Sequence, residues 1–196
     1  MPKTRITWAD AQLMPEDGKL YEAIDGELYV TPAPTLRHQW ISVNLMAALL
    51  KLLVEPGYGW VFAAPTGVEF PDTEEGVQPD IVFISKDRRE LLTKPGVSGP
   101  PDLVIEIGSP STANRDRSIK RKLYERQGVP QYWIVDPETD AVEVWDFAAG
   151  TREPARYAGH LPVRLGGRDY GEIELSTVFP PEPQGTKRVR PNVSEC

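Results

Sequence analysis

The chain has almost no cysteine and almost no histidine. Its single cysteine in 196 residues, Cys196, is terminal, which excludes a disulfide framework and a thiolate metal site. The two histidines, His38 and His160, have no ligand-spaced partners. A histidine-based zinc site and a Ser-His-Asp triad are therefore unsupported. No apolar run approaches the roughly 20 residues of a membrane span, and the opening MPKTRITWADAQL lacks the apolar core of a signal peptide. A cytoplasmic protein without a membrane partner is expected. Surplus positive charge is missing too. A net charge of −7 argues against a general nucleic-acid coat, whose affinity comes from neutralising phosphates.

What is present is an ordinary globular composition, 40% hydrophobic and 26% charged, in a chain long enough for one domain with a real core. The sequence loosens from about Pro180, which predicts a single domain over 1–183 and a flexible tail over 184–196. The charge is uneven. Residues 115–126 hold six cationic side chains (Arg115, Arg117, Lys120, Arg121, Lys122, Arg126) against two acidic ones. The segment carries +4 and leaves −11 for the remainder. One basic element on an acidic body fits either a localised phosphate-facing surface or a solvated helix face.

Residues 20–24 and 27–30 alternate around Asp25-Gly26, the pair favoured in two-residue hairpin turns. Thr35 is a candidate N-cap for a helix on which Ile41, Leu45, Leu49 and Leu52-Leu53 repeat, until Pro56-Gly57 stops it. Strands are predicted over 60–64, 66–70, 80–85, 102–107, 132–135 and 141–145. A turn is predicted at Ser109-Pro110-Ser111-Thr112, then a helix capped by Asn114 or Thr112 and running through Gln127, where Gly128 and Pro130 end it. Hairpin, long helix, strands, helix and strands in this order predict an α/β (α+β) protein with a mixed sheet carrying a few helices.

Glu106 is the anomaly. It sits in Leu103-Val104-Ile105-Glu106-Ile107, otherwise a buried strand, and a buried carboxylate must be protonated, paired or bound to a cation. Two Pro-Asp pairs offer a partner. Asp102 shares Glu106's strand, but four residues at ~3.3 Å separate them by roughly 13 Å. A shared divalent cation needs oxygens within about 2–2.6 Å. Asp80 does better. If 80–85 and 102–107 run antiparallel, Asp80 lies beside Glu106 at the strand ends, and Asp102 is a strand-entry residue. Two such carboxylates form an all-oxygen site suited to Mg²⁺ or Mn²⁺. Asp116, Lys120 and Tyr124 share one side of the following helix. Lys120 is there either a surface partner of Asp116 or an amine laid along the sheet toward those strand ends.

The run PDIVFIS … PPDLVIEIGSPSTANRDRSIKRKLYERQGVPQYWIVDP resembles the Uma-type family of bacterial restriction endonucleases, part of the PD-(D/E)XK nuclease superfamily. The similarity covers roughly residues 21–180 and includes YEAIDGEL, the Pro-rich link to RHQ, the QPD and the Ser-Pro-Ser-Thr turn. The resemblance implies a restriction-endonuclease-like fold, a mixed central β-sheet flanked by α-helices. It also implies catalytic Asp80, Glu106 and Lys120, with Asp80 and Glu106 as metal ligands. Lys120 takes the place of the signature lysine, because the usual position is Gly108 here, a departure that weakens the strand end and leaves space beside the site. Glu22 and His38 match family positions and, with Tyr124, are supporting candidates. Glu22 is equally readable as a pairing partner on a strand, and His38 as a structural histidine.

The function these readings imply is metal-dependent hydrolysis of DNA phosphodiester bonds, with Mg²⁺ (or Mn²⁺) as cofactor, DNA as substrate and a homodimer as the working form. Lys120 orients water or stabilises developing charge, and Arg115, Arg117 and Arg121 contact the DNA backbone. The alternative is a catalytically inert, dimeric module that keeps the nuclease fold.

Overall fold

Asp25 and Gly26 adopt left-handed backbone angles, φ 52° and 76°, and turn the chain back on itself between β1 (Leu20–Ile24) and β2 (Glu27–Thr31). This hairpin follows a one-turn helix, α1 (Trp8–Ala11). The computed structural model describes residues 5–109 and 113–181. Pro110 to Thr112 of the expected turn, Thr112 as a cap, and the tail over 184–196 lie outside them.

The long helix α2 (Leu36–Leu49) starts where Thr35 accepts the N–H of His38 at 3.3 Å. It ends in a π-helical turn, Leu50–Val54. Ile41, Leu45, Leu49 and Leu53 are fully buried, as their spacing predicts. The chain continues through β3 (Gly59–Ala63), β4 (Gly67–Phe70), β5 (Glu75–Val77), β6 (Ile81–Ser85), β7 (Gly96–Ser98) and β8 (Leu103–Ile107). A second helical stretch then runs as α3 (Ala113–Arg115), a π-helical turn (Asp116–Lys120) and α4 (Arg121–Arg126). Asn114 is inside this stretch rather than capping it. Gln127 closes it, and Gly128 turns away with φ 78°. The remaining strands are β9 (Gln131–Asp136), β10 (Ala141–Asp146), β11 (Ala155–Tyr157), β12 (His160–Leu165) and β13 (Arg168–Glu174).

The expected mixed α+β class is what forms, but the strands divide over three sheets. The central one has six strands in the order β11-β10-β9-β8-β6-β3, parallel only between β8 and β9. Period-two alternation gives it two buried faces. Ile81, Phe83, Leu103, Ile105, Trp133 and Val135 meet α2 and the two-stranded β12–β13 ribbon. Val82, Ile84, Val104, Tyr132 and Ile134 meet α4 and a five-stranded sheet, β2-β1-β5-β4-β7. The hairpin joins that second sheet because Ile24 packs with Val68, Val77 and Val97, not with the long helix. Trp8 anchors the chain's start in a notch that only glycine permits. A side chain at Gly76 would begin 2.1 Å from the indole.

Candidate active site

The register that pairs Ile81 with Ile105 brings Asp80 opposite Glu106, both on the α4 side of the sheet. Asp80 is fixed twice. Its Oδ2 accepts the backbone N–H of Ile107 at 2.7 Å, and its Oδ1 lies 3.1 Å from His38 Nε2 at the start of α2. Asp102 belongs to the other end of the same strands, where it accepts the N–H of Ser85 at 2.7 Å and faces Arg88 at 3.6 Å. It is the strand-entry residue that the spacing predicted.

Glu106 is almost sealed from solvent, and its Oε1 receives two donors. Lys120 Nζ donates at 2.8 Å and the Tyr124 hydroxyl at 2.7 Å. The same ammonium lies 2.8 Å from Glu22 Oε1, so Lys120 bridges β8 and β1. Lys120 and Asp116 are both buried, which rules out the surface-pair reading of that helix face. The π-helical turn spans Asp116–Lys120, widening the helix where both side chains turn inward. Glu22 Oε1 also accepts the backbone N–H of Gln78 at 3.0 Å, while Glu22 Oε2 has no hydrogen-bond partner among the described residues.

Arg115 turns toward the same place. It donates to Thr31 Oγ1 at 2.6 Å, lies 3.9 Å from Glu22 Oε2 and covers the Tyr29 ring. The other two candidate arginines are elsewhere. Arg117 is held by Asp136 and Glu143 at 3.1 and 3.0 Å, and Arg121 by Glu125 and the Trp145 ring. Gly108 is buried and donates its N–H to Val135. A Cβ there would meet the Val135 carbonyl at 3.3 Å, so the glycine relieves contact with β9.

Glu22, His38, Asp80, Glu106, Arg115 and Lys120 line a cleft of about 1250 Å³ between α2 and the segment leading into β1. Glu16, Glu22, Asp80, Glu106 and Asp116 line it against Lys19, Arg115 and Lys120, a formal net charge of −2 when every carboxyl is ionised. The electrostatics follow. Burial, more than any neighbour, pushes the Glu106 carboxyl up to about 8. Lys120 opposes the shift, and Asp116, Asp80 and Glu22 add to it. Burial alone would lower the Lys120 amine, but Glu106, Glu22 and Asp116 together hold it above its ordinary range against Arg115. Lys120 therefore stays an ammonium, and Tyr124, buried beside Glu106, stays a neutral donor.

Among the described residues no three His, Cys, Asp or Glu side chains converge as a ready-made cage. The donor set still fits Mg²⁺, which binds through one or two carboxylates and keeps water and substrate phosphate for the rest of its shell. Asp80 and Glu106 are the carboxylates the cleft offers such an ion, and one divalent cation would balance the −2 that the lining carries once Glu106 is ionised. The sequence missed Gln78 and the inward turn of Arg115. Gln78 sits two residues before Asp80, where its N–H could be placed only once β1 was known to pair with β5.

The chain belongs to the Uma2 family, described as "Putative restriction endonuclease", whose profile matches residues 8–176. No curated protein matches the chain. Among solved structures it is similar to one described as a putative nuclease belonging to DUF820 from Anabaena variabilis ATCC 29413. The TM-score is 0.71 at 18% identity, covering 89% of this chain and 97% of that one. At that identity the likeness speaks to the fold.

Proposed function

We propose that the chain is a nuclease of the PD-(D/E)XK type that hydrolyses DNA phosphodiester bonds with Mg²⁺ or Mn²⁺. The observation that carries the reading is Asp80 beside Glu106 on adjacent strand ends, with the Lys120 ammonium on Glu106 in one cleft. Asp80 and Glu106 would hold the cation, which when bound supplies Lewis-acid polarisation of the phosphate and an acidified water. Asp80 is pre-oriented by the Ile107 N–H and by His38. Tyr124 holds Glu106 from behind the cleft, and Lys120 from within its lining. Lys120, kept charged by Glu22, is the cation that stabilises negative charge growing on the phosphate oxygens. Of the three candidate arginines Arg115 lines the cleft, and there it would meet the phosphate backbone.

The test is cleavage of plasmid, single-stranded DNA and RNA in Mg²⁺ and Mn²⁺, beside Asp80→Ala, Glu106→Ala and Lys120→Ala. Loss of cleavage in all three is expected, and cleavage that survives Glu106→Ala would sink this reading. A second reading, an inert module with a relic site, draws on the Lys120–Glu106 pair, which satisfies Glu106 without any metal. It predicts no saturable Mg²⁺ or Mn²⁺ binding by calorimetry. The nuclease reading predicts binding that disappears in Asp80→Ala.

A further inference from the structure

Beyond its carboxylates, the cleft that Asp80 and Glu106 line has walls that are poor in free positive charge. Val43, Met46 and Ala47 of α2, with Leu50 just after it, form one wall, and no charged side chain occurs from residue 39 to residue 50. Met14 and Pro15, between α1 and β1, line the cleft from the other side, and Pro32 and Pro34 line it from the link before α2. The three cations of the lining all face carboxylates already. Lys19 lies 2.6 Å from Asp17, Arg115 3.9 Å from Glu22, and Lys120 is buried between Glu22 and Glu106.

We infer that the substrate enters as an unpaired DNA strand, its bases against these apolar walls and one phosphate at Asp80 and Glu106. The inference rests on the nuclease reading and adds to it the form of nucleic acid that the site takes. A duplex keeps its base faces stacked inside and turns two charged backbones outward, and its affinity comes from neutralising phosphates. Phosphates on either side of the scissile one would press on walls that hold no free cation, and on Glu16. An unstacked strand offers the reverse, base faces that gain by leaving water along one backbone rather than two.

Size and the neutral polar groups agree. A volume of about 1250 Å³ exceeds the roughly 300–1,000 Å³ of a pocket for one small ligand, so the cleft takes more than one nucleotide. Gln12, Gln39 and Ser42 also line it, and their amide and hydroxyl groups both donate and accept, which suits base edges without selecting one base.

The experiment measures binding to the full chain in Ca²⁺, which leaves DNA uncut, by fluorescence anisotropy. The probes are a DNA strand of about 16 nucleotides, the longer end of single-strand site sizes, the same strand without its bases, and the blunt duplex. The strand should bind tighter than either of the others by on the order of tenfold. Val43, 65% exposed, can be changed without disturbing the core. Val43→Ser should weaken the strand by roughly threefold and leave the baseless strand unmoved, while Val43→Phe, which adds a ring, should tighten it. A baseless strand or a duplex bound as tightly as the strand overturns the inference, and so does Val43→Ser weakening all three probes alike. An RNA strand preferred to the DNA strand would overturn the assignment to DNA. Cleavage in Mg²⁺ and Mn²⁺ separates the two readings. Strand and duplex cut at one rate would overturn this inference and leave the nuclease standing, whereas a strand preferred in binding and never cut would do the reverse.

Discussion

Lys120 reaches Glu106 from inside the protein, 2.8 Å from Nζ to Oε1, with both side chains nearly removed from water. A buried pair of this kind contributes little over an apolar pair of the same shape, yet breaking one side of it is costly. Lys120→Met therefore leaves Glu106 and Glu22 without their ammonium and should lower unfolding free energy by about 3–5 kcal/mol. Adding Glu106→Gln should recover part of the loss. Denaturant melts of the two single variants and the double variant give the coupling. A Lys120→Met variant as stable as the wild type would mean that the pair does not form.

Burial of the Glu106 carboxyl, which Lys120 only partly offsets, makes stability depend on pH. Glu106, ordinarily near 4.5, is raised to about 8 in the folded chain. Its contribution is complete below 4.5 and is lost as pH climbs toward 8, because the folded state holds the proton longer than the unfolded one. Lys120, also raised, keeps its charge throughout that window. Metal-free wild type should therefore lose stability between about pH 5 and pH 8 relative to Glu106→Gln, by a few kcal/mol at most. Mg²⁺ requires the carboxylate, so its affinity should rise across the same window with release of a proton. Calorimetry in two buffers of different ionisation enthalpy reads that proton directly. A pH-independent affinity without release would contradict the assignment of Glu106 as ligand.

Glu75 mounts the far end of α4, the helix that follows Lys120. Its carboxylate accepts the Asp25 N–H at 2.7 Å and Gln127 Nε2 at 2.8 Å, and pairs with Arg126, so hairpin, β5 and α4 meet on one buried acid. Glu75→Ala strands the N–H of the hairpin turn and should cost about 2–3 kcal/mol. The urea midpoint should fall with its slope unchanged, while a conservative Glu75→Gln keeps the Gln127 or Asp25 bond and falls less.

How far the site was legible depended on which force fixed each residue. The juxtaposition of Asp80 and Glu106 followed from strand geometry: distance along the strand excluded Asp102 and antiparallel pairing selected Asp80, and Asp102 indeed stands at the far end, on Ser85 and Arg88. Hairpin and long helix followed from Asp25-Gly26 and from the spacing of Ile41, Leu45 and Leu49. Lys120 did not follow, because helical periodicity placed it on a border. Only the π-helical turn and the carboxylate of Glu22, a residue remote in sequence, show it buried. The second sheet was illegible for a related reason. β5 and β7 are three residues each, too short for any period, and tertiary pairing decides them.

The basic helix offers a last discrimination. From composition its arginines were equivalent candidates for the phosphate backbone, but their surroundings differ. Arg117 is held by Asp136 and Glu143, and Arg121 by Glu125 and Trp145, so binding DNA would cost them existing partners. Arg115 has partners too, in Thr31, Glu22 and Tyr29, but it lines the cleft, and its Nε has no hydrogen-bond partner among the described residues. Arg115→Ala should weaken DNA binding in Ca²⁺, chosen to hold the substrate uncut, and reduce the slope of log affinity against log salt by about 1. Arg117→Ala and Arg121→Ala should leave that slope where it is. If the slope falls for Arg117 instead, DNA tracks the outer face of the helix and not the cleft. The candidate active site would then need a different route for its substrate.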